Sequence, residues 1–252
     1  MSDSPGRLAD FLNWWQQVVF EFWDHYYEVA ICEGQPPLTI YEWLESQPDG
    51  WKVAQAGFEA TARLVVEDVA AKIDLPPGGK RVLDVGGGHG LYSIELCRRH
   101  PDLTATVFDL PGALERAREN IRAAGLSDRV SLLAGDYRED DLGHGYDVAL
   151  LFNVIHAHRP DENLRLLSKI AAALAPNGRV VILDQMGDRA FGPATRAANR
   201  LLAMAYFVLL GGQTFTGDEV VSWLRKAGFG VVSRRRLLKA PGSSMITAVR
   251  DG

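Results

Sequence analysis

From Phe11 the apolar positions fall at Phe11, Trp14, Trp15, Val18, Phe22, Tyr26 and Ala30. That spacing predicts a helix with one broad apolar stripe. The stripe has to be covered, and the protein's own core, a partner subunit or the wall of a substrate pocket would each serve. Gly34, Pro36 and Pro37 stop this helix; a short helix is expected within Leu38 to Trp51 and a third over Ala54 to Ile73. The run Leu75-Pro76-Pro77-Gly78-Gly79 then interrupts the pattern and divides the chain into a helical extension, residues 1–75, and a second domain, residues 76–252.

Beyond the break, short β-rich runs alternate with helical stretches, the mark of βαβ units and a mostly parallel sheet. Strands are predicted at Arg81 to Val85, Thr104 to Asp109, Val130 to Leu133, Asp147 to Phe152 and Arg179 to Leu183. The longest intervening helix, Pro160 to Leu174, is opened by proline and closed by Pro176-Asn177-Gly178. An irregular segment follows Asp184, then helices near Ala194 to Leu210 and Thr216 to Lys226. Gly230 to Leu238 and Ser243 to Val249, joined by Ala240-Pro241-Gly242, read as a terminal hairpin.

Composition changes this picture little. The 252 residues are 47% hydrophobic and 23% charged, ordinary for a soluble globular protein, and the longest apolar block, Leu201 to Leu210, is far short of the roughly 18 residues that cross a bilayer. A formal net charge of −5 gives no broad basic field, which argues against nucleic acid or an anionic membrane as partner. Cys32 and Cys97 are too few for a disulfide framework or a cysteine metal cage, and the N-terminus lacks the features of a secretory signal, so a cytoplasmic location is expected. One asymmetry stands out: Trp14, Trp15, Trp23, Trp43 and Trp51 place five of the six tryptophans near the N-terminus.

The strongest local motif is Leu83-Asp84-Val85-Gly86-Gly87-Gly88-His89-Gly90, where a buried strand turns into a helix. Glycines there allow a tight turn and a close approach of backbone to ligand, and the helix start offers free N–H groups. A nucleotide-like cofactor suits the loop, although a purely structural turn would use the same glycines. Leu91 stands where the dinucleotide fingerprint requires its third glycine, and no Gly-Lys-Ser/Thr of a phosphate loop follows. Asp109, at the end of the next strand, can accept both hydroxyl hydrogens of a ribose or can cap the helix that begins at Pro111. Gly135-Asp136-Tyr137, after the third strand, is suited to an adenine.

With these motifs in order, the chain resembles the class I S-adenosylmethionine-dependent methyltransferases, and more narrowly the small-molecule O-methyltransferases of plant phenolics and bacterial natural products. Val82 to Gly90, Phe108-Asp109-Leu110-Pro111 and Gly135-Asp136-Tyr137 carry the resemblance. It implies a Rossmann-like α/β fold with seven strands and an antiparallel C-terminal hairpin, and S-adenosylmethionine as cofactor. Asp84, Gly86, Gly87, Gly88 and Gly90 would flank its methionine part, Asp109 its ribose, and Leu110, Gly135, Asp136 and Tyr137 its base, with Asn153 added from the loop after the fourth strand. In this family a histidine at the position of His156 removes the proton from the acceptor hydroxyl, work suited to an imidazole that ordinarily titrates near 6.5.

The sequence departs from the family where Ala157 and His158 follow that histidine in place of aspartate and tryptophan. His156 could therefore serve only to hold its loop, and His158, expected to be more exposed, could substitute as base. A metal reading of the two histidines lacks a third ligand, and no metal is expected. Asp184 is expected against the substrate or the base. Met204, Tyr206 and Phe207 are expected to line the acceptor pocket or the core, and Arg234-Arg235-Arg236 to form a solvated face. The family's larger N-terminal dimerisation domain does not fit in 252 residues, so the tryptophan-rich segment is expected to cover the acceptor pocket, to form a homodimer through its helices, or both.

Overall fold

The computed structural model describes residues 5–189, 192–237 and 242–251. Seven strands form one sheet in the order β3-β2-β1-β4-β5-β7-β6. They span Arg81–Val85 (β1), Thr104–Asp109 (β2), Val130–Ala134 (β3), Tyr146–Phe152 (β4), Leu174–Gln185 (β5), Phe229–Arg236 (β6) and Ser243–Arg250 (β7). The first five pair in parallel and β7 runs antiparallel to both neighbours. The segment joining the expected hairpin, including Leu238, Ala240 and Pro241, lies outside the described residues. Period-two alternation sends Val82, Val107, Val148 and Val181 to one face and Leu83, Phe108, Leu151 and Ile182 to the other, each inside a separate apolar cluster. Burial on both faces explains the nearly continuous apolar runs. Strand order reverses between β1 and β4, so their C-terminal ends open a crevice.

The N-terminal helices are α1 (Pro5–Trp14), α2 (Phe20–Glu33), α3 (Ile40–Ser46) and α4 (Gly50–Ala70). A π-helical turn at Trp15–Val19 joins the first two without a break. Most of the predicted stripe is internal: Trp14, Val18, Phe22 and Ala30 are buried, in a cluster that also takes Ala205, Val208 and Leu209 from α8 (Gly192–Leu210). A second face of the same helices leaves Leu8, Leu12, Phe20 and Ile31 exposed. Around the sheet lie α5 (Leu91–Arg99), α6 (Pro111–Ala123), α7 (Pro160–Ala173) and α9 (Gly217–Lys226), the last begun by a Thr216–Glu219 capping box. On β6, Arg234 pairs outward with Asp218 and Arg235 with Asp74, as a solvated face would.

Helix α4 connects the two layers. Its first half contributes Ala54 to the helical cluster, and its second half packs Ala62, Val69 and Ala70 against the sheet. Between them the buried Glu59 accepts hydrogen bonds from Arg63, Arg116 and Asn120. Burial opposes its charge, but these donors prevail and hold the carboxyl down at about 2. Asn120 also donates to the carbonyl of His89 in the glycine loop.

Candidate active site

The chain leaves β1 through Gly86 and Gly88, with φ of 69° and 45°, the left-handed region in which a Cβ is strained. The Gly86 amide donates to the Phe108 carbonyl at 2.8 Å, which ties the loop to β2. At the end of β2 the Asp109 carboxylate accepts the Gly88 amide at 2.7 Å through one oxygen and the Leu110 amide at 2.7 Å through the other. Asp109 therefore acts within the loop; it does not cap α6, whose N-cap is Leu110 with no side-chain cap bond. A carboxylate offers about four acceptor positions, and two remain. Burial raises Asp109 to about 6 despite these two amides. Asp84 is raised to about 7, again chiefly by burial, although Ser93 donates to it at 2.7 Å.

Asp84, Gly86, Gly87, Gly88 and Asp109 line a cavity of about 1100 Å³ whose wall also includes Leu110, Asp136, Tyr137, Asn153 and His156. Single-ligand pockets usually occupy about 300–1,000 Å³, so this cavity stands at the upper end of that range. Two of the predicted residues lie off the wall. Gly90 caps the start of α5, and Gly135 packs against Phe108 and Asp140, where a side chain would collide. The Asp136 carboxylate is engaged by Arg138 at 2.7 Å; partial burial opposes its charge, but Arg138 holds it below the usual carboxylate range. Tyr206 lies on the wall, whereas Phe207 packs against the helical cluster and Met204 is half-buried away from the cavity.

His156 sits in a short 3-10 turn, Ile155–Ala157, entered through the left-handed Asn153 at φ 54°. The turn is gripped from two sides: Asn163 of α7 donates to the Ile155 carbonyl at 2.9 Å, and the Gln213 amide donates to the His156 carbonyl at 2.9 Å. The His156 Nδ1 lies 2.8 Å from a carboxylate oxygen of the fully buried Asp184. Tyr206 stacks on the imidazole at 3.7 Å with the planes 12° apart. Of the two positions expected for Asp184, it takes the one against His156.

His158 departs from expectation. It is buried rather than exposed, because its ring packs edge-on against Tyr137 and its Nε2 lies 2.9 Å from the Tyr137 hydroxyl. Burial lowers it to about 4, so it is neutral and occupied in orienting Tyr137. The two histidines thus point to different partners, and among the described residues no three His, Cys, Asp or Glu side chains converge to hold a metal.

Three wall residues were not singled out by the motifs. Tyr41 stacks flat on Trp51, 5.8 Å between centroids, and its phenol is pushed up by burial and then by the charges of Asp109 and Asp184. Trp51 lies over Gly112 at the start of α6, where any side chain would strike the indole. Gln55 is buried on α4. The available signal was positional: Gln55 and Glu59 are polar residues one turn apart on a stripe with Ala54, Phe58 and Ala62.

The family model described as the O-methyltransferase domain matches residues 15–230 of this chain. The chain belongs to this O-methyltransferase domain family. The family's 3-hydroxy-5-methyl-1-naphthoate 3-O-methyltransferase from Streptomyces sahachiroi is 37% identical over 76% of this chain and 54% of its own length. Aclacinomycin 10-hydroxylase RdmB from Streptomyces purpurascens is 36% identical over 62% of this chain and 41% of its own length. The crystal structure of the S-adenosylmethionine-dependent methyltransferase SibL in its apo form superposes with a TM-score of 0.76 at 30% identity, covering 98% of this chain and 74% of SibL. The O-methyltransferase-domain chain spans about half the length of the curated relatives it matches. Among its described residues, no helix is long and apolar enough to cross a membrane.

Proposed function

We propose that this chain moves the methyl group of S-adenosylmethionine to a hydroxyl of a small aromatic acceptor, with His156 as general base. The observation that carries this reading is His156 on the wall of the cavity that the glycine loop also lines, with the buried Asp184 behind it on Nδ1. The residues present fit the cofactor: Asp109 retains acceptor positions for ribose hydroxyls, Leu110 and Tyr137 put an apolar side chain and an aromatic ring on the wall for a base, and Gly86 and Gly88 let the backbone close on the remainder. When bound, S-adenosylmethionine supplies a methyl group on a positively charged sulfur. The chain's own work is to hold the acceptor and take its proton.

A carboxylate on Nδ1 selects the tautomer in which that nitrogen carries the hydrogen, leaving the Nε2 lone pair to accept a proton. Asp184 then stabilises the imidazolium as it forms, at a site where burial strengthens the attraction. Phe11, Trp14, Trp15 and Tyr206 give the rest of the cavity broad flat walls, suited to an aromatic acceptor. The direct test is incubation with S-adenosylmethionine labelled in its methyl group and a panel of phenols. Label appearing in a phenol ether is expected, and its absence across acceptors that bind would remove the reading. A second reading, a different reaction on the same cofactor site, is supported by the relative named as a hydroxylase; acceptor conversion without label transfer would favour it.

The helical extension, residues 1–75, is proposed as cover for the acceptor and as the contact with a second copy of the chain. Support comes from Trp14 and Trp15 on the cavity wall and from Leu8, Leu12, Phe20 and Ile31 exposed on the other face. Light scattering should give twice the chain mass, with a shift toward the monomer in Leu12→Lys; a monomeric starting protein would exclude the contact.

A further inference from the structure

Gln55 is polar, 4% exposed, and lies on the cavity wall. Among the described residues its side-chain oxygen is buried without a hydrogen-bond partner. The amide sits directly over Gly88: a Cβ built there would stand 2.8 Å from Oε1 and 3.2 Å from Nε2. A buried acceptor left unpaired is destabilising, and methionine or leucine would fill the same space without that cost. The unpaired amide is thus explained by a partner that arrives with a ligand.

We infer that Gln55 receives the amino-acid end of the cofactor. An α-amino acid presents an ammonium, which only donates, beside a carboxylate, which only accepts. A primary amide carries one acceptor and a pair of donors on a single carbon, so one side chain can serve both charges. Position supports the assignment. Asp109 takes the loop on the ribose side through the Gly88 amide, and Gln55 covers the same glycine from α4. Because Gln55 belongs to the helical extension, the bound cofactor is gripped from both layers, and helix and loop are held together through the ligand. This assignment rests on S-adenosylmethionine being the cofactor.

Two ligands separate the contributions. S-adenosylhomocysteine has the amino-acid end; 5′-methylthioadenosine has the same nucleoside and sulfur without it. Calorimetric titration of Gln55→Met should show S-adenosylhomocysteine weakened on the order of tenfold or more, the loss of one hydrogen bond to a charged group, with 5′-methylthioadenosine unchanged. Thermal unfolding of the ligand-free variant should occur at the same or a higher temperature, because a buried unpaired oxygen has been removed. If methionine prevents folding, Gln55→Asn, which withdraws the amide by one methylene, should give the same selective loss. Equal effects on both ligands, or none on either, would overturn the role of Gln55 and leave the cofactor reading standing. Binding of neither ligand by the unaltered chain would overturn both.

Discussion

Replacing His156 with alanine is expected to lower methyl transfer by about 10²- to 10⁴-fold, the usual contribution of a positioned proton acceptor. Cofactor affinity, measured by titration with S-adenosylhomocysteine, should change little, because the role proposed for His156 is toward the acceptor hydroxyl. Asp184→Asn should approach the same loss by another route. An amide can donate to Nδ1 and so favour the tautomer with its hydrogen on Nε2, which cannot act as base. Equal turnover in wild type and His156→Ala would remove the base from the mechanism and leave alignment of oxygen, carbon and sulfur as the main source of rate.

Asp109→Ala should weaken S-adenosylhomocysteine by about 10²-fold or more. Two hydrogen bonds from ribose hydroxyls to a carboxylate, at about 1.5 kcal/mol each, amount to roughly that factor. The Gly88 and Leu110 amides lose their acceptor as well, so the loop should loosen. The same residue predicts a pH dependence. The ionised form accepts both hydroxyls, and burial raises Asp109 to about 6; affinity should be full above that pH and decline as pH falls through it. Asp84, raised to about 7, is a second group on the wall that titrates in this region. Titrations across pH 5 to 8 should show a step near 6 in wild type that is absent from Asp109→Ala. Persistence of the step in the variant would assign it to another group.

The sheet was legible because its signals are local. Apolar runs between glycine and proline punctuation mark strands buried on both faces, and the first four parallel strands stand within a residue of their predicted ends, whereas β5 begins at Leu174, five residues before the predicted Arg179, and takes in the Pro176-Asn177-Gly178 expected to precede it. The glycine loop and Asp109 were legible because close backbone approach and carboxylate chemistry restrict residue type. Pairing was less so. That Asp184, 28 positions beyond His156, would reach its Nδ1 depends on β4 and β5 lying side by side, and sequence narrowed the partner only to base or substrate. His158 misled because a polar residue in a loop reads as exposed until a long-range neighbour, here Tyr137, is known. Gln55 lacked a motif altogether: the role proposed for it rests on the absence of a partner among the described residues, which appears only once its neighbours are placed.

The segment Leu75 to Gly79 divides the chain but not the molecule. Glu59, through Arg116 and Asn120 of α6, and Ala62, Val69 and Ala70, in the apolar cluster on the sheet, fasten α4 to the second domain upstream of that segment. A nick between residues 75 and 79 would sever the covalent thread while the noncovalent seam along α4 remained. The two pieces would stay associated as a complementing pair, so what divides the sequence is a connector, and the unit that must be kept whole is the helix before it.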